Sequence, residues 1–323
     1  MSPTRTARHH ALAAALAALS DEELAARLAR AERVGVGVGG EALVLDVAGA
    51  PVFAKRVPLT ARELAHPRST ANLFDLPLHH QYGLGGPSFS AWRELDACER
   101  VTEAVLEGEA TAFPLLHHWR VLPGRPPLPA DRAPADDPAT RARLEALAAA
   151  PSSLVLVTEH LPLPLEDWLR DAPLTKAEAL ARQLADITTS LRRLRLLHMD
   201  AHFGNLRVAD DRVHLTDFGL ALSPRHDLSP AERDFAHHHA GYDADHTAMR
   251  LVNWLITTTH APENPATRNA HVRRYARGAT PHDVPPPVAA LITGHAPAAA
   301  AMNDLWWRLF GGELTARHRA PRD

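Results

Sequence analysis

The 323-residue chain has little cysteine, few aromatic residues, almost no net charge and no long apolar run. Its single cysteine, Cys98, cannot form an internal disulfide, which fits a reducing cytoplasm. Aromatic residues make up 5% of the chain, so the core must be largely aliphatic and alanine-based. A formal charge of −3 supplies no global positive field, and neither nucleic acid nor an anionic membrane is an expected partner. No segment approaches the roughly 18 consecutive apolar residues that a spanning helix needs. Near the N-terminus Arg5, Arg8, His9 and His10 precede a nine-residue apolar run, but that run is mostly alanine. It gives way to Ser20 and Glu23, which read as a capping box opening a second helix. The spacing predicts a helical extension over 1–33 rather than a cleaved leader. What is abundant is apolar residue, at 46%, against 23% charged, which excludes disorder, collagen and coiled coil for the chain as a whole. The length suits two globular units. Proline (27) and histidine (21) are in surplus.

After residue 33 short β-branched runs replace helical periodicity. Segments 33–38, 42–47 and 52–57 read as an antiparallel meander, with glycine-rich turns between them. Residues 58–89 carry four prolines and look like an irregular insertion. Ser88 or Ser90 then caps a helix through Trp92, Leu95, Cys98, Val101 and Val105. Segment 119–122 reads as a strand, 123–138 as a proline-rich loop and 154–157 as a buried strand. From residue 165 the pattern is helical, with start signals at Thr175 with Glu178, at Ser229 to Glu232, and at Asn264 before Pro265. Apolar helices are expected over 244–260 and 298–310. Two short strand-like pieces, 206–208 and 213–216, flank an Asp210, Asp211 turn. The fold class is α+β, a β-rich half meeting a helical half near residue 160, without internal repeats.

The chemistry concentrates in His198, Asp200, His202 and Asn205, followed twelve residues later by Asp217, Phe218 and Gly219. Phosphoryl transfer needs a carboxylate to orient and deprotonate the attacking hydroxyl, and oxygen ligands to hold Mg²⁺ against the phosphates. Asp200 suits the first role. Asn205 and Asp217 suit the second, because a hairpin through Asp210 and Asp211 folds 205 and 217 back beside each other. Upstream, Gly35, Gly37 and Gly40 form a G-x-G-x-x-G pattern followed by a strand, where missing side chains let backbone N–H groups approach phosphate.

These motifs, in this order, resemble the protein kinase-like superfamily over about 34–222. The resemblance implies a bilobal kinase-like fold. Its N-lobe would span 34–160, with insertions at 58–89 and 123–138, and its C-lobe 161–323. Lys55, in the strand Val52, Phe53, Ala54, Lys55, resembles the lysine that ties down the α- and β-phosphates of ATP. The helix glutamate that would hold it is Glu94, with Glu99 as second choice. By position, Glu159 and Leu161 would offer backbone groups to the adenine edge. ATP and Mg²⁺ are the implied cofactors. Asp243 or Asp245 stands where a C-lobe aspartate would bond the catalytic loop, although a helix N-terminal charge is the simpler reading.

The departures from the family are informative. Met199 replaces the arginine that would pair with a phosphorylated activation loop, so activity without prior phosphorylation is expected. His202 resembles the catalytic loop of aminoglycoside and choline phosphotransferases, and the Ala-Pro-Glu end of the activation segment is missing. Asp217, Phe218, Gly219, Leu220 and Ala221, in contrast, read as in protein kinases. The acceptor expected first is a Ser/Thr hydroxyl of a protein or peptide, then a small molecule such as an aminoglycoside. A non-catalytic pseudokinase scaffold is the reading from a different class. The paired histidines 9–10, 79–80, 117–118 and 237–239 lack metal-ligand spacing and read as surface residues; Trp306 and Trp307 read as core.

Overall fold

The computed structural model describes residues 4–37, 39–129, 137–171 and 173–318. Val38, at the end of the first expected strand, and 130–136, within the expected proline-rich loop, lie outside the described residues. The chain is α+β and divides into two compact units. The first runs to Leu161 and also takes in Asp217–Ser229; the second comprises Pro162–Thr216 and the chain from Pro230 onward.

The first unit opens with α1 (Arg5–Ala17) and α2 (Asp21–Arg30), the latter closed by the expected Ser20/Glu23 capping box. Strands β1 (Glu32–Gly37), β2 (Gly40–Val47) and β3 (Ala50–Leu59) follow, then the short helix α3 (Ala61–Ala65) and α4 (Ala91–Leu106), capped by Ser90. Strand β4 (Leu116–Pro123), helix α5 (Pro138–Ala148) and strand β5 (Ser152–Glu159) complete it. The sheet is antiparallel in the order β1-β2-β3-β5-β4.

Strand alternation decides which face carries chemistry. Val52, Ala54, Val155 and Val157 bury one face of the sheet against Leu12, Leu16, Leu24 and Leu28 of α1 and α2. Fully burying each such side chain contributes about 1.5–3 kcal/mol. The two N-terminal helices are thus part of the sheet's own core. Because successive side chains point to opposite faces, Lys55 projects from the other side, where it meets Glu94 of α4.

The 58–89 stretch is more ordered than its prolines suggest. Thr60 and Glu63 form a capping box, and Glu63 also pairs through both carboxylate oxygens with Arg143 of α5, at 2.8 and 2.9 Å. Trp92 Nε1 donates to the Glu63 carbonyl. His80 Nε2 lies 2.7 Å from Thr140 Oγ1. The insertion is therefore fastened to α4 and α5 by side chains far apart in sequence.

The second unit contains β6 (Leu163–Pro164), α6 (Leu165–Arg170), α7 (Ala177–Arg193), β7 (Leu206–Ala209), β8 (Arg212–Leu215), α8 (Pro230–His238), α9 (Tyr242–His260), α10 (Pro265–Ala276) and α11 (Pro286–Phe310). Asn264 caps α10 as expected. The expected Thr175/Glu178 start is corrected: a 3₁₀ turn over Pro173–Lys176 carries the chain into α7, whose N-cap is Lys176, without a side-chain cap bond. The last helix begins twelve residues before the expected 298, with Pro286 in its first turn and Pro297 inside it. Trp307 is 49% exposed, which corrects its assignment to the core. No helix among the described residues is long and apolar enough to cross a membrane.

The histidine expectation is corrected too. One member of each group is buried: His9, His80, His117 and His239. A neutral imidazole offers one donor and one acceptor, so a ring can be buried where a local partner satisfies it. His9 and His117 meet Nδ1 to Nδ1 at 2.9 Å, and His239 Nδ1 lies 2.7 Å from the Phe235 carbonyl. Burial holds His80, His117 and His239 down to about 4, favouring the neutral ring.

Candidate active site

In the first unit, Lys55 Nζ donates to Glu94 Oε1 at 2.6 Å and to Asp217 Oδ1 at 2.7 Å. Glu99, the second choice, pairs with Arg68 instead. Burial acts to lower Lys55, but the Asp217 and Glu94 carboxylates outweigh it and hold the ammonium well above the usual lysine range. It is therefore a fixed positive charge at any physiological pH. Asp217 stays half-exposed, at 47%, with its backbone at φ 63°, a left-handed conformation that aspartate tolerates better than most residues.

The glycines divide their work. Gly35 and Gly37 lie in β1, and a Cβ at either would meet nothing within 4 Å. Gly40 opens β2 at φ 120°, where a Cβ would stand 2.0 Å from the Arg56 carbonyl, so only glycine fits. At Gly39, between them, a Cβ would lie 3.3 Å from Lys55 Nζ. The turn backbone thus passes directly over the lysine ammonium.

Glu159 is tied down on both its amide and its side chain. Its amide donates to the Leu115 carbonyl, and its carboxylate accepts two bonds from Arg5 Nε, at 3.0 and 3.1 Å. Its amide is thus committed to protein rather than open to an adenine edge. Leu161 is buried at the end of the unit.

In the second unit, Asp243 Oδ1 and Oδ2 accept from the backbone N–H of Met199 (2.9 Å) and His198 (2.7 Å). Asp243 is therefore an anchor of the loop that carries Asp200 rather than only a helix N-terminal charge. Met199 sits at φ 67°, a conformation that costs a non-glycine residue about 1–2 kcal/mol, and the two bonds to Asp243 hold it there. Burial pushes the Asp243 carboxyl up to about 6, with the Asp200 charge adding to the rise and the two N–H donors opposing it. His198 Nδ1 accepts from the Asp200 amide at 3.2 Å, leaving Nε2 to donate to the Thr216 carbonyl at 3.0 Å. This buried ring ties the Asp200 amide to the Thr216 carbonyl. Asn205 Nδ2 donates to the Asp200 carbonyl (3.0 Å) and to Asp200 Oδ2 (3.1 Å), so Oδ1 is its remaining acceptor. His202 caps the 3₁₀ turn Phe203–Asn205 through Nδ1, while its Nε2 lies 3.6 Å from Asp200 Oδ2. The β7–β8 hairpin turns through Asp210 (φ 49°) and Asp211 (φ 57°), as the sequence suggested.

No family model matches the chain, and no curated protein matches it. Among solved structures it is similar to one described as WaaP in complex with acyl carrier protein, at 16% identity and a TM-score of 0.41, covering 91% of this chain and 92% of that one. A likeness of that degree carries no argument about what this chain does.

A set of residues that sequence reasoning missed lies after Asp217. Phe218 is buried edge-on to Phe113, and Gln81 Nε2 donates to the Leu220 carbonyl. Arg100 Nη1 donates to Ser223 Oγ at 2.7 Å. His226 Nε2 reaches Asp96 Oδ2 at 3.1 Å, and the Asp227 amide donates to Thr70 Oγ1 at 2.8 Å. The insertion and α4 therefore hold this segment within the first unit. Nothing in the local pattern of 70, 81 or 100 marks them, because each contact spans more than a hundred residues.

Proposed function

We propose that the chain is a kinase that moves the γ-phosphoryl group of ATP to a hydroxyl, most simply a Ser/Thr hydroxyl of a protein or peptide. The observation that carries this reading is the Lys55, Glu94 and Asp217 ion triad beneath the Gly39 turn. A permanently charged lysine held by a buried glutamate under a glycine turn is a receptacle for phosphate oxygens. Asp217 is an exposed carboxylate and Asn205 keeps Oδ1, hard oxygen donors of the kind Mg²⁺ takes. Bound there, the ion would neutralise charge on the phosphates. Asp200, oriented by Asn205 and by the loop that Asp243 and His198 anchor, accepts the hydroxyl proton. The backbone of Leu161, and that of Glu159 apart from its engaged amide, are the candidate contacts for the adenine edge.

His202 beside Asp200 and the missing Ala-Pro-Glu segment support a small-molecule acceptor as the second reading. The test is incubation with Mg²⁺ and γ-labelled ATP against casein-like proteins and an aminoglycoside panel, with Asp200→Asn and Asp217→Ala as controls. Label transfer by the wild type that both substitutions abolish is the expected result. No transfer together with no Mg-dependent thermal shift by ATP leaves the pseudokinase scaffold in its place.

A further inference from the structure

The face of α9 that anchors the catalytic loop carries more than Asp243. Residues seven and eleven positions on from Asp243 fall within about 20° of it around a helix, so Arg250 and Trp254 share its side. The contacts bear this out at both ends: Asp243 holds the amides of His198 and Met199, and Trp254 packs on Phe203, ring centres 6.3 Å apart. Arg250 lies between these contacts along the helix, within reach of the Asp200 charge. Its Nε donates to His246 Nε2 at 3.3 Å, and no carboxylate pairs with it among the described residues. Arg268 of α10 likewise has no carboxylate partner there, and its Nε is buried without a hydrogen bond. The charged side chains that reach Arg250 are Asp200 and Arg268, and burial lowers both guanidiniums without displacing their protons.

We infer that Arg250 and Arg268 form an oxyanion subsite beside Asp200, so that the hydroxyl acceptor carries a phosphate or carboxylate close to the reacting oxygen. This rests on the kinase reading above and specifies its acceptor. Two part-buried guanidiniums with no carboxylate in hydrogen-bond contact among the described residues leave N–H donors that a bound oxyanion can take, and the planar fork of arginine suits phosphate and carboxylate alike. The same pair repels a polycation, which sets this site against the aminoglycosides. Trp254 and Phe203 supply an apolar shelf for the body of the acceptor.

The experiment has a binding arm and a transfer arm. In the first, inorganic phosphate is titrated against the full chain at chloride-matched ionic strength and thermal stability is followed. A saturable rise is expected in the wild type and in Lys55→Met, and none in the Arg250→Gln, Arg268→Gln double variant. In the second, acceptors differing only in the oxyanion are compared under Mg-ATP: a serine peptide with neighbouring Glu or Gln, and a sugar phosphate against its neutral sugar. The pair that responds tells a peptide from a small-molecule source. The double variant should raise KM for the anionic member on the order of tenfold or more, the loss of a charged hydrogen bond, and leave KM for ATP unchanged. No phosphate-dependent stabilisation in the wild type, a shift lost in Lys55→Met but kept in the double variant, or preference for the neutral acceptor or an aminoglycoside would overturn the subsite. If ATP gives no shift while phosphate does, the kinase reading fails and the oxyanion site stands.

Discussion

In the first unit Glu63 and Arg143, each 1% exposed, bond through both pairs of atoms, and Lys55 is closed between Glu94 and Asp217; in the second, Arg250 and Arg268 stand part-buried with no carboxylate in hydrogen-bond contact among the described residues. The first unit's named pairs are closed by direct contact, whereas the two guanidiniums of the second unit lack that direct pairing among the described residues. A pair made inside the protein fixes geometry, since removing either member strands the other in a medium that solvates it poorly. N–H donors left over are available to something that binds.

Asp200→Asn should break the second unit's chemistry most severely. Loss of the proton acceptor is expected to lower kcat on the order of a thousandfold, read by label transfer, while the Mg-ATP thermal shift persists. A variant that transfers label at the wild-type rate would remove Asp200 from the chemistry.

Arg143→Met tests internal compensation in the first unit. It leaves the Glu63 carboxylate buried with Thr60 and the Ala91 amide as remaining donors, and a loss of about 3–5 kcal/mol in chemical denaturation is expected. A loss below about 1 kcal/mol, the usual worth of an exposed pair, would show the pair to be incidental.

Asp243 sharpens the contrast, because its carboxylate is buried against N–H dipoles rather than a cation. Its carboxyl is raised from 3.8 to about 6, so between those values the folded chain holds a proton that the unfolded chain has released. Its contribution to stability is thus complete below pH 3.8 and lost as pH rises through about 6, a change of about 3 kcal/mol. Unfolding free energies of wild type and Asp243→Asn across pH 4 to 8 should differ by a term that changes in that window and is flat above about pH 7. A pH-independent difference would place the carboxyl near its ordinary value.

The smallest effect concerns the segment after Asp217. Ser223 is fully buried and accepts from Arg100, so phosphatase treatment should leave activity unchanged. Ser223→Ala should cost about 1 kcal/mol and speed amide exchange over 217–229. An activity lost with phosphatase and restored by phosphate at Ser223 or Ser229 would reverse this.

Much of the fold was legible locally. Glycine turns and β-branched runs marked the first three strands, and Ser20 with Glu23 and Asn264 before Pro265 marked helix starts, because those signals act over a few residues. Lys55 and Glu94 were legible as a pair only through the resemblance of their motifs, since 39 residues separate them. Thr175 misled because its capping pattern was overridden by a tighter turn before the helix. The buried histidines were illegible for another reason: which of two neighbours turns inward depends on what the opposite element offers, as His117 does for His9.

By itself the sequence determined the α+β order of elements, the glycine turn and the loop bearing Asp200 and Asn205, since each is written in spacing along a few turns or strands, while Lys55 and Glu94 were marked as a pair by the resemblance of their motifs. Tertiary structure decided that 217–229 belongs with the first unit, that Asp243 rather than Asp245 anchors the loop, that Arg5 claims Glu159, and that Arg250 and Arg268 have no hydrogen-bonded carboxylate among the described residues. The physical reason is common to all four. A side chain's charge state and partner are set by the groups that packing brings within a few ångströms, and those groups come from distant parts of the chain.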